Sequence, residues 1–166
     1  IVDCDYIGKR TGRCITVNNP TGLYVVDDFI VTHNSFLGCV WLASSCIRFD
    51  GILMVVARLT LKSLRDTTWA TLLRLLTSWG LKEDIHYHVN NQYGYLEFWN
   101  KSKILMVELS PSLKDPDYSS LGSLEITGAF CDEISEIPEK AIEVLASRIR
   151  YKVAETFVVG KICCST

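Results

Sequence analysis

The sequence predicts an α/β fold in which a mostly parallel sheet follows a short all-β segment. Two segments, the continuous apolar run 52–57 and the mostly apolar 126–131, have the composition of strands buried on both faces of a sheet. Helical and strand-like segments alternate around these runs, which is typical of an α/β sheet with mostly parallel strands. Short β-like runs broken by turns fill 1–34 instead. Because the composition changes abruptly at Ser35, we predict two units, 1–34 and 35–166.

The first unit is predicted to contain three short strands. The runs CITV and LYVV flank NNPTG, in which Asn, Pro and Gly favour a tight turn, and the run FIV follows. These runs predict a small all-β segment that ends directly before Ser35.

Periodicity gives the elements of the second unit. Apolar residues at helical spacing predict helices over 35–49, 61–79 and 138–149, the last one opened by a proline. Apolar runs predict strands over 52–57, 95–99, 104–109, 126–131 and 156–164. Strands and helices joined by short links form the units of an α/β sheet.

Composition excludes several classes of protein. Of the 166 residues, 48% are hydrophobic and 22% are charged, as in a folded globular chain. The net charge of −2 predicts no broad attraction to nucleic acid. No apolar run approaches the roughly 18 residues that span a bilayer, so we expect no membrane partner. The chain opens on Ile1 rather than Met, and we expect a fragment of a longer protein.

The seven cysteines predict reduced thiols rather than a disulfide or zinc framework. Most of them lie in apolar runs, and the sequence contains no C-x-x-C pair. Buried, reduced thiols are typical of a cytosolic protein.

Asp132 and Glu133 directly follow the predicted buried strand 126–131. The carboxyl ends of parallel strands are where α/β sheets bind ligands. In nucleoside triphosphatases, the first of two such carboxylates holds Mg²⁺ and the second orients and deprotonates the attacking water. An acidic loop without function is the alternative interpretation of this pair.

A nucleoside triphosphatase of this kind also needs a phosphate-binding loop, G-x-x-x-x-G-K-[ST], before a helix. The residues before Ser35 read FIVTHN and contain neither Gly nor Lys. Ser35 nevertheless begins a predicted helix, as does the hydroxyl residue of the loop that contacts Mg²⁺. The order from Ser35 to Asp132 and Glu133 is therefore that of a P-loop enzyme whose loop has lost its first half.

The stretch RCITVNNPTGLYVVDDFIVTHNS resembles the C-terminal end of an intein, a self-excising element of the HINT fold. Inteins typically end in His-Asn, here His33 and Asn34, followed by Ser, Thr or Cys of the host protein. The resemblance implies an intein N-terminal half as partner, in cis or in trans, and no cofactor for splicing. A simple helix cap at His33-Asn34-Ser35 is the alternative.

The intein resemblance also implies roles for individual residues. The Asn34 side chain attacks its own carbonyl carbon and breaks the Asn34–Ser35 bond, with His33 polarising the carbonyl or protonating the leaving amine. Ser35 Oγ first accepts the upstream segment as an ester. Cys14 with Thr32 fits a subclass that uses an internal Cys as its nucleophile; an assisting or packed Cys14 thiol is the alternative. One departure is Gly22, where many family members have a His.

The second unit resembles the ATPase domain of a tailed-phage terminase large subunit, the motor that packages DNA into capsids. SFLGCVWLASS, VVARLTLKSLRDTTW and, most specifically, DPDYSSLGSLEITGAFCDEISEIPEKAIEVLASRIR carry the resemblance. It implies a P-loop NTPase sheet of the RecA or ASCE type, truncated here. We expect the part with the P-loop glycine and lysine, and the C-terminal nuclease domain, to be missing.

The terminase resemblance implies ATP and Mg²⁺ as cofactors of the spliced host. It makes Ser35 and Asp132 the metal ligands and Glu133 the catalytic base, with Arg58 near the nucleotide. The implied sensors of the γ-phosphate are Ser165 and Thr166. Double-stranded DNA, the phage portal and the small terminase subunit would be partners, in the cytoplasm of an infected bacterium. A P-loop helicase or recombinase, or an inactive α/β binding domain, are the alternative hosts.

Overall fold

The computed structural model describes residues 35–113 and 115–150 in full, and the backbone of 24–26, 30–32, 34 and 161–164. An antiparallel pair, β1 (Tyr24–Val26) and β2 (Ile30–Thr32), precedes the first helix. This pair does not test the HINT fold predicted for 1–34, and the rest of that segment lies outside the described residues.

A six-stranded sheet forms the centre of the described part of the chain. Its strands are β3 (Leu53–Arg58), β4 (Tyr87–Asn90), β5 (Tyr95–Phe98), β6 (Lys103–Glu108), β7 (Gly128–Cys131) and β8 (Lys161–Cys164). They are ordered β4-β5-β6-β3-β7-β8. The neighbours β6, β3, β7 and β8 run parallel, whereas β5 is antiparallel to both β4 and β6.

The α/β prediction is confirmed, and the sheet is mixed at one edge. The short links 91–94 and 99–102 join β4 to β5 and β5 to β6. Links of this length allow hairpins but no crossover, so these three strands must alternate in direction.

Helices cover the two faces of the sheet. In the described ranges they are α1 (Asn34–Arg48), α2 (Leu61–Leu64), α3 (Ala70–Ser78) and α4 (Glu139–Ser147). No helix in these ranges is long and apolar enough to cross a membrane.

Alternate residues of the central strands contribute to two separate cores. Met54, Val56 and Phe130 pack in the cluster that contains buried residues of α1 and α3. Val55 and Ala129 pack in the other cluster, with α4. Side chains of a strand point alternately to the two faces of its sheet. A strand covered on both faces is largely apolar, as 52–57 is throughout and as 126–131 is apart from Thr127.

Gly38 allows α1 to lie directly on β7. A Cβ at this position would overlap the ring of Phe130, which is 1% exposed. Gly38 is one turn after Ser35, so the close approach of helix and strand brings the first turn of α1 to the carboxyl end of β7.

The helix predicted over 61–79 is interrupted. A π-helical turn, Arg65–Trp69, separates α2 from α3. Such turns insert an extra residue into a helix and are frequent at functional sites. This one carries Thr67 and Thr68 to the edge of the sheet where β3 and β7 end.

Candidate active site

Asp132 lies at the carboxyl end of β7 and is 1% exposed. Its backbone N–H donates to Ala57 O of the neighbouring strand at 2.9 Å. Both carboxylate oxygens accept hydrogen bonds from hydroxyls: Ser35 Oγ donates to Oδ1 at 2.7 Å, and Thr68 Oγ1 donates to Oδ2. A buried carboxylate needs such partners, because desolvation without hydrogen bonds is costly.

Ser35 approaches this carboxylate from the first turn of α1. The first N–H groups of a helix lack partners within the helix and give its N-terminus a partial positive charge. A helix that begins at the carboxyl ends of parallel strands is a common place for anionic ligands.

Thr68 belongs to the site although sequence reasoning did not find it. It is 1% exposed, and its carbonyl accepts a hydrogen bond from Cys39 Sγ at 3.5 Å. The residue looks like any polar position of an amphipathic helix. Only the extra residue of the π-helical turn directs its hydroxyl to Asp132, and no sequence pattern marks that turn.

Arg58, the last residue of β3, bridges the π-helical turn and Glu133. One guanidinium nitrogen donates to Thr67 Oγ1 at 2.5 Å, and the other lies 3.8 Å from Glu133 Oε1. Its Nε is buried without a hydrogen-bond partner among the described residues. Arg58 thus holds a buried, unsatisfied donor beside the carboxylate of Glu133.

Glu133 has a left-handed backbone conformation, with φ 54° and ψ 57°. For a residue with a Cβ this conformation costs of the order of 1 kcal/mol or more, and it clusters at functional sites. The turn separates its side chain from that of Asp132: Asp132 is buried, whereas the Glu133 side chain is 38% exposed. Adjacent carboxylates therefore meet different surroundings.

Glu108 is a further acidic group at this edge that the sequence did not single out. It ends β6 and is the register partner of Arg58. Its carboxylate accepts from the Leu61 N–H at 3.2 Å and from Ser110 Oγ. Its position near the end of the predicted strand 104–109 was the available signal.

Cys39 beside the site is an inert thiol. Burial, with a smaller contribution from Asp132, raises its pKa from 9.0 to about 12. Burial likewise raises the pKa of Cys46. Both are reduced thiols, and Cys131 on β7 is buried as well. Because the thiolate is the reactive form, these cysteines are packing residues.

Four of the predicted site residues meet at this edge of the sheet: Ser35, Arg58, Asp132 and Glu133. The roles assigned to them remain predictions. Cys14, His33, Ser165 and Thr166, and the side chains of Thr32 and Asn34, lie outside the described residues.

The oxygen donors of the site suit a hard cation. Ser35 Oγ and the Asp132 carboxylate are ligand types that Mg²⁺ takes, directly or through water. The described part of the chain has no group of three or more His, Cys, Asp or Glu arranged for a metal. Mg²⁺ does not need such a group, since it is often held by one or two protein side chains together with waters and the phosphates of a substrate.

Solved structures with a similar fold are known. The large terminase from a thermophilic bacteriophage matches with a TM-score of 0.57 and 21% identity over 78% of this chain. The fold is similar to that of a phage large terminase. Structures of the same terminase with ADP and with ATP-γ-S match with TM-scores of 0.54 and 0.51, at 21% and 20% identity over 78% of this chain.

The similarity concerns a part of the terminase. This chain spans 29% of the first matched structure and 28% of the two nucleotide complexes. No protein-family model and no curated protein matches the chain.

Proposed function

We propose that residues 35–166 are part of the ATPase domain of a phage DNA-packaging motor, and that 1–34 are the C-terminal part of an intein that splices at Asn34–Ser35. The observation that carries the ATPase proposal is the hydrogen bond between Ser35 Oγ and Asp132, 97 residues apart, at the carboxyl edge of a terminase-like sheet. That the matched phage terminase has been solved with ADP and with ATP-γ-S supports a nucleotide as ligand.

In this proposal Ser35 and Asp132 hold Mg²⁺ against the phosphates of ATP. The ion neutralises charge that develops on the transferred phosphoryl group. Glu133 is exposed enough to reach a water molecule and orients it for attack. The free Nε of Arg58 and the N–H groups of the first turn of α1 are donors available to phosphate oxygens. Ser165 and Thr166 remain the proposed sensors of the γ-phosphate.

The missing half of the phosphate-binding loop explains why an intein would matter here. The residues before Ser35 supply neither the glycines that let backbone N–H groups surround a phosphate nor the lysine that neutralises it. We propose that splicing joins the missing half to Ser35. Double-stranded DNA, the portal and the small terminase subunit would then be partners of the complete motor, in the infected bacterial cytoplasm.

The splicing proposal draws support from the sequence THNS and from its place in the fold. β2 ends at Thr32 and α1 begins at Asn34, so the Asn34–Ser35 bond lies at the start of α1. Acyl transfer to Ser35 Oγ, cyclisation of Asn34 and an O-to-N shift would leave a peptide bond in front of Ser35.

ATP hydrolysis by two proteins tests the ATPase proposal. One is this chain, and the other is a host chain in which an upstream segment ending in a P-loop lysine is joined directly to Ser35. We expect Mg²⁺-dependent hydrolysis by the joined chain and none by this chain. Turnover by this chain alone, or none by a folded joined chain, would refute the split-loop account.

A further inference from the structure

The serine that would accept the acyl group already donates a hydrogen bond to another residue in the unspliced chain. Ser35 still follows His33-Asn34 here, and yet its hydroxyl donates to Asp132 Oδ1 at 2.7 Å. Asp132 belongs to the host segment. A host residue and the splicing reaction therefore require the same hydroxyl group.

The ester that acyl transfer forms at Ser35 cannot keep this hydrogen bond. In the transfer, Ser35 Oγ loses its proton, bonds to the acyl carbon of the upstream segment and displaces the first nucleophile, which leaves with a proton. The resulting ester oxygen has no hydrogen to donate. At the present distance it would face a carboxylate oxygen lone pair to lone pair, and the 1% exposed Asp132 would lose a partner that bulk water does not replace.

The surrounding contacts hold Asp132 and the backbone of α1 in place on either side of this hydrogen bond. The hydroxyl of Thr68 holds Asp132 Oδ2, so the carboxylate is fixed from its other side. The absence of a side chain at Gly38 seats α1 against Phe130 one turn after Ser35. Release of Ser35 thus requires rotation of the Ser35 side chain or movement of the first turn of α1, rather than rotation of Asp132.

We propose that Asp132 restrains splicing: the folded host site holds the splicing serine, and acyl transfer proceeds when the Ser35–Asp132 contact opens. This inference rests on the proposed splicing function. It makes Asp132 a positioning residue for a reaction of the preceding element, in addition to its proposed role toward Mg²⁺. Splicing would then be fastest before the host domain has completed its fold.

The test uses the precursor in complex with its intein N-terminal half and follows ligated product over time. Asp132→Ala removes the acceptor, and we expect ligation about tenfold faster, the worth of one hydrogen bond to a charged group. Thr127→Val is the matched control. Thr127 is also 1% exposed and precedes the other end of β7, where its hydroxyl accepts from the Leu53 N–H at 3.3 Å. This control removes a buried hydrogen bond remote from Ser35 and, in a host that remains folded, should ligate at the wild-type rate.

A second readout separates restraint of Ser35 from general loosening of the host. Cleavage at Asn34–Ser35 without ligation needs cyclisation of Asn34 but not Ser35 Oγ. We expect D132A to raise the ratio of ligated to cleaved product about tenfold. An unchanged ratio, equal acceleration by T127V, or slower ligation in D132A would overturn the inference while leaving splicing intact. If wild-type precursor gives neither ligation nor Asn34-dependent cleavage, the proposed splicing function itself fails.

Discussion

The ring of Phe130 on β7 occupies the space that a side chain at Gly38 would need. This contact determines how closely α1 approaches the sheet and therefore where Ser35 meets Asp132. A single glycine thus links the packing of the core to the geometry of the site.

Gly38→Ala is expected to destabilise the chain by about 1–3 kcal/mol, because overpacking a filled core forces the helix or the ring to move. Urea unfolding followed by circular dichroism measures the change. Gly122→Ala is the control, because a Cβ there meets open space and should change the free energy of unfolding by less than about 0.5 kcal/mol. Equal effects of the two substitutions would contradict the proposed contact.

Thr68→Val is expected to destabilise the chain by about 1–3 kcal/mol, since it leaves Asp132 Oδ2 buried without its hydroxyl partner. The matched control is Thr77→Val on α3. The exposed Thr77 hydroxyl donates to Leu73 O within its own helix and also contacts the Tyr87 side chain, so its loss should cost less than about 1 kcal/mol. A neutral T68V variant, measured by the same unfolding experiment, would show that Thr68 does not support the buried carboxylate.

The Cys39 thiol predicts a loss of stability at alkaline pH. Its pKa is raised to about 12 in the folded chain, so the unfolded chain releases the proton first as pH rises above 9.0. The contribution of Cys39 is therefore complete below pH 9.0 and is lost as pH rises toward 12. Cys39→Ala should have a shallower decline of unfolding free energy between about pH 9 and pH 11. Parallel profiles for the two proteins would refute this effect.

Glu133→Gln in the joined host chain is expected to lower kcat for ATP by about 10²–10⁴-fold, the usual worth of a positioned general base. Binding of ATP-γ-S should persist, because Asp132 and Ser35 are unchanged. Glu136→Gln is the control, since Glu136 lies three residues away on the exposed side of the same turn. Loss of nucleotide binding together with turnover in E133Q would assign Glu133 to binding instead.

Periodicity and apolar runs were sufficient to predict the helices and most strands of 35–150, because burial on two faces leaves a strong pattern. Their boundaries agree with the structure within a few residues. No comparable pattern marks the π-helical turn, whose extra residue depends on tertiary packing. Thr68 was missed for this reason.

The sequence also gave no sign that Asp132 and Glu133, which are adjacent, differ in solvent exposure. The pair was predicted from its place after a buried strand, and both residues lie at the expected edge. One carboxylate is buried and the other exposed because the backbone at Glu133 is left-handed. A glutamate does not indicate that conformation, as a glycine or asparagine would. The hydrogen bond of Arg58 to Thr67 likewise follows from the π-helical turn.

The central claim is that Ser35 and Asp132 become the Mg²⁺ ligands of a nucleotide site once the missing half of the loop is joined to Ser35. A crystal structure of the joined host chain with Mg²⁺ and ATP-γ-S tests it most directly. We predict Mg²⁺ at about 2.1 Å from Ser35 Oγ, with the Asp132 carboxylate bound to it directly or through one water. A nucleotide bound elsewhere, with the Ser35–Asp132 hydrogen bond intact and no metal beside it, would contradict the claim.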